Sequence, residues 1–140
     1  MSRAAKKIDM EQWFRVFADK TRLRLINLLG DDEVCVCFLT EILKSPQSTI
    51  SRHLSYLKRA GLVDSRRDGK WMHYRIVPPS NPDAATVLED VKRWLTNDKE
   101  MQEDRKRLVR FCCTSELPEN LKDVPKPLSH IQPMTQRVNL

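Results

Sequence analysis

A mostly helical chain interrupted by one basic β-hairpin is the fold class that the sequence predicts, and three observations predict it. Apolar residues recur at helical spacing through residues 13–29, 50–57 and 87–95. Two β-rich runs flank the turn-prone Arg67-Asp68-Gly69-Lys70. The whole formal net charge of +6 falls within residues 44–75, where eight basic residues face two acidic ones and leave 17 of each sign elsewhere. One sign concentrated in one segment is the footprint of a polyanionic partner.

The elements follow in order. Trp13, Phe14, Val16 and Phe17, then Leu23, Leu25, Ile26, Leu28 and Leu29, predict two helices, the second closed by Gly30. Leu39, Ile42 and Leu43 fit a short third helix stopped at Ser45-Pro46, because a residue before proline avoids the helical region. From Gln47 to Ala60, Ile50, Leu54 and Leu57 share one face of a fourth helix, opposite Ser48, Ser51, Arg52, Ser55 and Arg59, and Gly61 closes it. Residues 62–66 and 71–77 form the hairpin. Ser80 or Asn81 then caps a helix over residues 83–97, with Pro82 tolerated in its first turn and Val87, Leu88, Val91, Trp94 and Leu95 along one stripe. A more polar helical stretch runs on to Phe111.

Helix, short helix, sharp break, polar-faced helix and basic hairpin is the order of a winged helix-turn-helix, in which the polar helix enters the DNA major groove and the hairpin touches backbone or minor groove. The expected DNA-facing residues are Gln47, Ser48, Thr49, Ser51, Arg52 and His53 on the helix and Arg66, Arg67 and Lys70 on the wing. The domain should span residues 11–113, between a flexible arm (1–10) and a mobile, proline-interrupted tail (114–140). The Val87–Leu95 stripe and the aromatic first helix exceed what so small a monomer needs to bury, which predicts a C₂ homodimer joined through its terminal helices.

The four cysteines fall as two close pairs, Cys35 with Cys37 and Cys112 with Cys113. Such neighbours are poor structural disulfides, and no apolar run suggests a membrane span or an export signal, so a soluble cytoplasmic protein is expected. Thiolates are soft ligands and select soft acceptors such as trivalent arsenic or antimony over magnesium, calcium or manganese. Cys35 and Cys37, two apart, would point to nearly opposite sides of a regular helix, so joint capture should require a non-helical first turn ahead of Leu39.

The segments Glu33-Val34-Cys35-Val36-Cys37-Phe38-Leu39-Thr40 and Ser48-Thr49-Ile50-Ser51-Arg52-His53-Leu54 resemble the signature of the ArsR (ArsR/SmtB) family of metalloregulatory repressors. The resemblance covers roughly residues 10–100. It implies a homodimer, a palindromic double-stranded DNA operator, and repression relieved by a metal or metalloid inducer, with Ser48, Ser51, Arg52 and His53 inheriting the DNA-facing role. The Cys-Val-Cys segment matches the arsenic-sensing branch, although Thr40 stands where the best-known arsenic site has a third cysteine. Cys112 and Cys113 then complete the first site from either protomer, form a site of their own, or are incidental.

Two other classes compete with this reading. A redox-responsive repressor would use the same cysteines through oxidation. A thiol-based reductase would need a Cys-x-x-Cys motif, a phosphate-cradling glycine loop and alternating strands and helices, none of which this chain of three glycines carries. No enzyme and no catalytic cofactor is expected.

Overall fold

The computed structural model describes residues 7–113 and 117–127. Among them are six α-helices and three short strands: α1 (Met10–Val16), α2 (Lys20–Leu29), β1 (Val34–Cys35), α3 (Val36–Leu43), α4 (Gln47–Arg59), β2 (Val63–Asp68), β3 (Trp71–Ile76), α5 (Pro82–Thr96) and α6 (Lys99–Cys113). This is a winged helix-turn-helix.

Helix starts are set by short polar side chains. Asp9, Asp19 and Asn81 each accept hydrogen bonds from backbone N–H groups in the first turns of α1, α2 and α5. The break between α3 and α4 is made by Lys44 at φ 52 and by Pro46, whose extended backbone opens α4. β2 and β3 pair antiparallel around Gly69 and Lys70, and Gly69 adopts φ 60, the left-handed geometry that two-residue hairpin turns demand.

The core joins the apolar stripes of all these helices. Leu25, Ile26 and Leu29 of α2, Phe38, Leu39 and Ile42 of α3, Ile50, Leu54 and Leu57 of α4 and Leu108 of α6 are buried together. α6 is fastened to this core by polar contacts as well. Arg24 forks onto the buried carboxylate of Asp104 at 2.7 and 3.0 Å, Asn27 donates to the Met101 carbonyl at 2.8 Å, and Arg105 and Arg107 donate to the Leu28 and Ile42 carbonyls near the ends of α2 and α3.

Three boundaries differ from expectation. Val34–Cys35 adds a third strand, giving the order β1-β3-β2 with Val34 opposite Tyr74 and Cys35 opposite His73. Asp9 and Met10, assigned to the arm, already cap and begin α1, and Ile8 packs against the core. Within the segment assigned to a mobile tail, residues 117–127 lie on the body: a short 3-10 turn (Glu119–Leu121) leads into a stretch that buries Leu121 and Val124, and Asn120 donates to Glu41 of α3 at 3.0 Å. Leu117, Leu121 and Val124 recur at near-helical spacing, a signal that the surrounding prolines obscure. No helix among the described residues is long and apolar enough to cross a membrane.

Candidate functional site

α4 presents its polar face outward because its other face is pinned by Ile50, Leu54 and Leu57. Gln47, Ser48, Arg52 and Ser55 are exposed, and Thr49 and Ser51 are half-buried beside them. Lys58 and Arg59 extend the basic face at the end of α4, and Lys58 donates to Ser65 of β2 at 2.7 Å, tying the helix to the wing. At the wing tip Arg67 and Lys70 are exposed, with the Lys70 ammonium 5.0 Å from the Trp71 ring centre. Behind α4, Arg22 lies over the Tyr56 ring at 4.3 Å while donating to the Val16 and Arg15 carbonyls. Neither Lys58 nor Arg22 was singled out from the sequence, because their roles depend on partners in other elements.

Two residues assigned to the DNA face are engaged within the chain. His53 is half-buried, with Nδ1 3.8 Å from Asp19 at the start of α2. Arg66 is exposed and is paired with Glu33: its Nη2 and Nε lie 2.7 and 3.1 Å from the carboxylate. This pair holds the Glu33 carboxyl below its ordinary value, chiefly through the hydrogen bonds from Arg66, and holds the Arg66 guanidinium above its own.

The cysteine pair sits where strand becomes helix. Cys35 is the last residue of β1 and precedes α3 with extended backbone (φ −69, ψ 141), whereas Cys37 lies in the first turn of α3. Cys35 thus stands outside the helix and Cys37 inside it, so the pair does not sit on a regular helix, where the two side chains would diverge. Cys35 is buried and Cys37 half-buried, and neither forms a disulfide. Burial pushes the Cys35 thiol up to about 11; the backbone N–H groups of Cys37 and Met72 oppose that rise and the Cys37 sulfur beside it adds to it. Thr40 turns its hydroxyl back to the Cys37 carbonyl at 2.9 Å.

Cys112 is buried near the end of α6 with Sγ 3.6 Å from the Val109 carbonyl. The side chain of Cys113 lies outside the described residues. Among those that are described, no three His, Cys, Asp or Glu side chains converge as a metal site, so one protomer does not bring Cys112 to Cys35 and Cys37 as a third ligand. What the chain offers is a dithiol, chemically suited to a soft acceptor that exchanges two bonds.

Residues 19–65 match the family described as "Bacterial regulatory protein, arsR family". The chain is 37% identical over 106 residues to the arsenical resistance operon repressor of Escherichia coli K12, covering 75% of this chain and 89% of that one. It is 41% identical over 90 residues to the arsenic resistance transcriptional regulator ArsR1 of Pseudomonas putida, covering 61% of this chain and 70% of that one. In structure it resembles the homodimeric winged helix-turn-helix DNA-binding domain Mb0332 of Mycobacterium bovis, with TM-score 0.52 and 27% identity over 64% of this chain and 81% of that one.

Proposed function

The chain belongs to the arsR family of bacterial regulatory proteins and is a transcriptional repressor rather than an enzyme; from this we propose that it holds palindromic operator DNA as a C₂ homodimer and releases it when Cys35 and Cys37 capture trivalent arsenic or antimony. α4 lies in the major groove, reading bases through Arg52 with Gln47, Ser48, Thr49 and Ser51 beside it, while Arg67 and Lys70 meet phosphates. The observation that carries the sensing half is the placement of the cysteine pair. Cys35 closes β1 and Cys37 lies in the first turn of α3, two residues apart at the strand-to-helix junction, and only the turn at residues 44–46 separates α3 from the DNA-reading helix.

Capture is a ligand exchange without redox change. Each S–H meets one As–OH of arsenous acid, an S–As bond replaces an O–As bond, and the thiol proton leaves with the hydroxyl as water. Two exchanges leave one hydroxyl on arsenic, or a methyl group where the arsenical carries one. An atom bonded to both sulfurs locks the geometry at the start of α3, and a state so favoured is selected at the expense of the operator-fitting one.

The test is a titration of operator-bound protein with arsenite, antimonite, methylarsenite, cadmium and zinc, following DNA release. Cys35→Ser or Cys37→Ser should bind operator nearly as well as the parent and fail to release it with arsenite. The double change Cys112→Ser with Cys113→Ser separates a completed site, where arsenite release falls, from an independent one, where ligand preference shifts. Release by peroxide but not by arsenite would instead favour the redox reading.

A further inference from the structure

Cys35, His73 and Arg66 stand in one row across the wing sheet: Cys35 is paired with His73 on β3, and His73 in turn with Arg66 on β2. Directly opposed residues of an antiparallel ladder carry their side chains on the same face, with Cβ atoms about 4.5–5.5 Å apart. The middle of the row is solid. His73 is 1% exposed, neither ring nitrogen has a hydrogen-bond partner, and Nε2 lies 3.7 Å from Asp68 near the wing tip, so it acts there as a packed wedge.

Over this wedge runs the ion pair. Glu33 lies two residues before Cys35, and β3 separates β1 from β2, so the fork from Arg66 to Glu33 spans a strand and joins the two outer ones. The Glu33 side chain is 13% exposed, shielded more than a rim charge, and the two-pronged geometry fixes direction as well as distance. The strand that ends in a sensing thiol is thus tied to the strand that carries Arg67 and the wing tip, by ladder, wedge and ion pair together.

We infer that Glu33 and Arg66 are positioning residues for induction, transmitting a displacement of Cys35 to the wing, so that Arg66 serves the switch rather than the DNA phosphates. The inference rests on the assignment of sensing to Cys35 and Cys37. It adds a second route to the one through α3 and α4: the wing loses its operator-fitting pose when the first turn of α3 is locked.

The experiment measures operator affinity with and without saturating arsenite in the full-length parent, Glu33→Gln, Arg66→Gln, the double variant, and the charge-swapped Glu33→Arg with Arg66→Glu. Circular dichroism verifies folding of each. Arsenite should weaken parent binding by a coupling factor of about 5-fold or more. Each single neutral variant should keep arsenite-free affinity near the parent's and lose most of that factor, the double should lose no more than either single, and the swap should recover it. An unchanged factor in Glu33→Gln overturns the inference. So does an Arg66→Gln variant whose salt slope falls by about 1 with the factor intact, since that is the behaviour of a phosphate contact. Arsenite release that survives Cys35→Ser overturns the sensing assignment itself, and this coupling with it, in a measurement independent of the Glu33 variants.

Discussion

At the scale of single residues, exposure distinguishes the side chains proposed to read DNA from their neighbours on the same helix. Arg52 is exposed on the polar face of α4, whereas His53, its neighbour, turns toward Asp19. Arg52→Ala should therefore weaken operator binding by about 1–3 kcal/mol and relax discrimination at one base position, whereas Lys70→Ala should weaken all sequences alike and lower the salt slope by about 1. Fluorescence anisotropy on operator and scrambled duplexes at several salt concentrations distinguishes the two. Glu33 supplies a pH signature. Its carboxyl is held down in the folded chain by Arg66, so the stability it contributes is complete above its unfolded value of about 4.3 and is lost as pH falls through the lower folded value. The urea midpoint of Glu33→Gln should lie below the parent's at neutral pH, and the gap should close in acid.

Elements are held by contacts that no local pattern announces. α6 reads as a polar helix, yet its Asp104 is 1% exposed and receives the Arg24 fork from a residue 80 positions away, with Arg107 3.4 Å off. Removing Arg24 strands that carboxylate beside a core that cannot hydrate it, and losing one partner of a buried pair costs about 3–5 kcal/mol. Because Arg107 remains near Asp104, Arg24→Ala should fall toward the lower end, measured as a shift in chemical denaturation. Leu121, 1% exposed, should behave as a core residue despite its proline-rich surroundings: Leu121→Ala should cost about 2–5 kcal/mol if the pocket does not collapse.

For the whole molecule, the apolar surface that the chain leaves uncovered marks where the second copy of the proposed dimer would sit. Met10 and Phe14 of α1 and Trp94 of α5 are 74%, 55% and 76% exposed, while Leu88 and Leu95 of the same α5 stripe are buried within the chain. The stripe read from the sequence is therefore divided between core and surface. Trp94→Glu should leave the fold intact, shift sedimentation from dimer to monomer at micromolar concentration, and lower operator affinity because two half-sites are no longer held together. Leu88→Glu should instead unfold the protomer, as it buries a charge among apolar side chains. A Trp94→Glu protein that sediments as a dimer would remove α5 from the interface.

Helix and hairpin identities, the polar face of α4, the break at Pro46 and the cysteine pair were all legible in the sequence, since period, caps and turn residues act within a few positions of one another. The two-residue strand β1 was not, because so short a segment has no period to detect, and it is the neighbouring β3 that makes Val34–Cys35 a strand and takes Cys35 out of the helix that holds Cys37. Trp94 and Leu88 share one stripe in sequence, and only packing against the rest of the chain decides which is covered. Arg66 carries the same charge as Arg67, adjoins it and is exposed like it, yet it is Arg66 that forks onto Glu33, 33 positions earlier. Local chemistry selects each element's shape and faces, but the partner of a charge or a thiol is chosen by the fold that brings distant segments together.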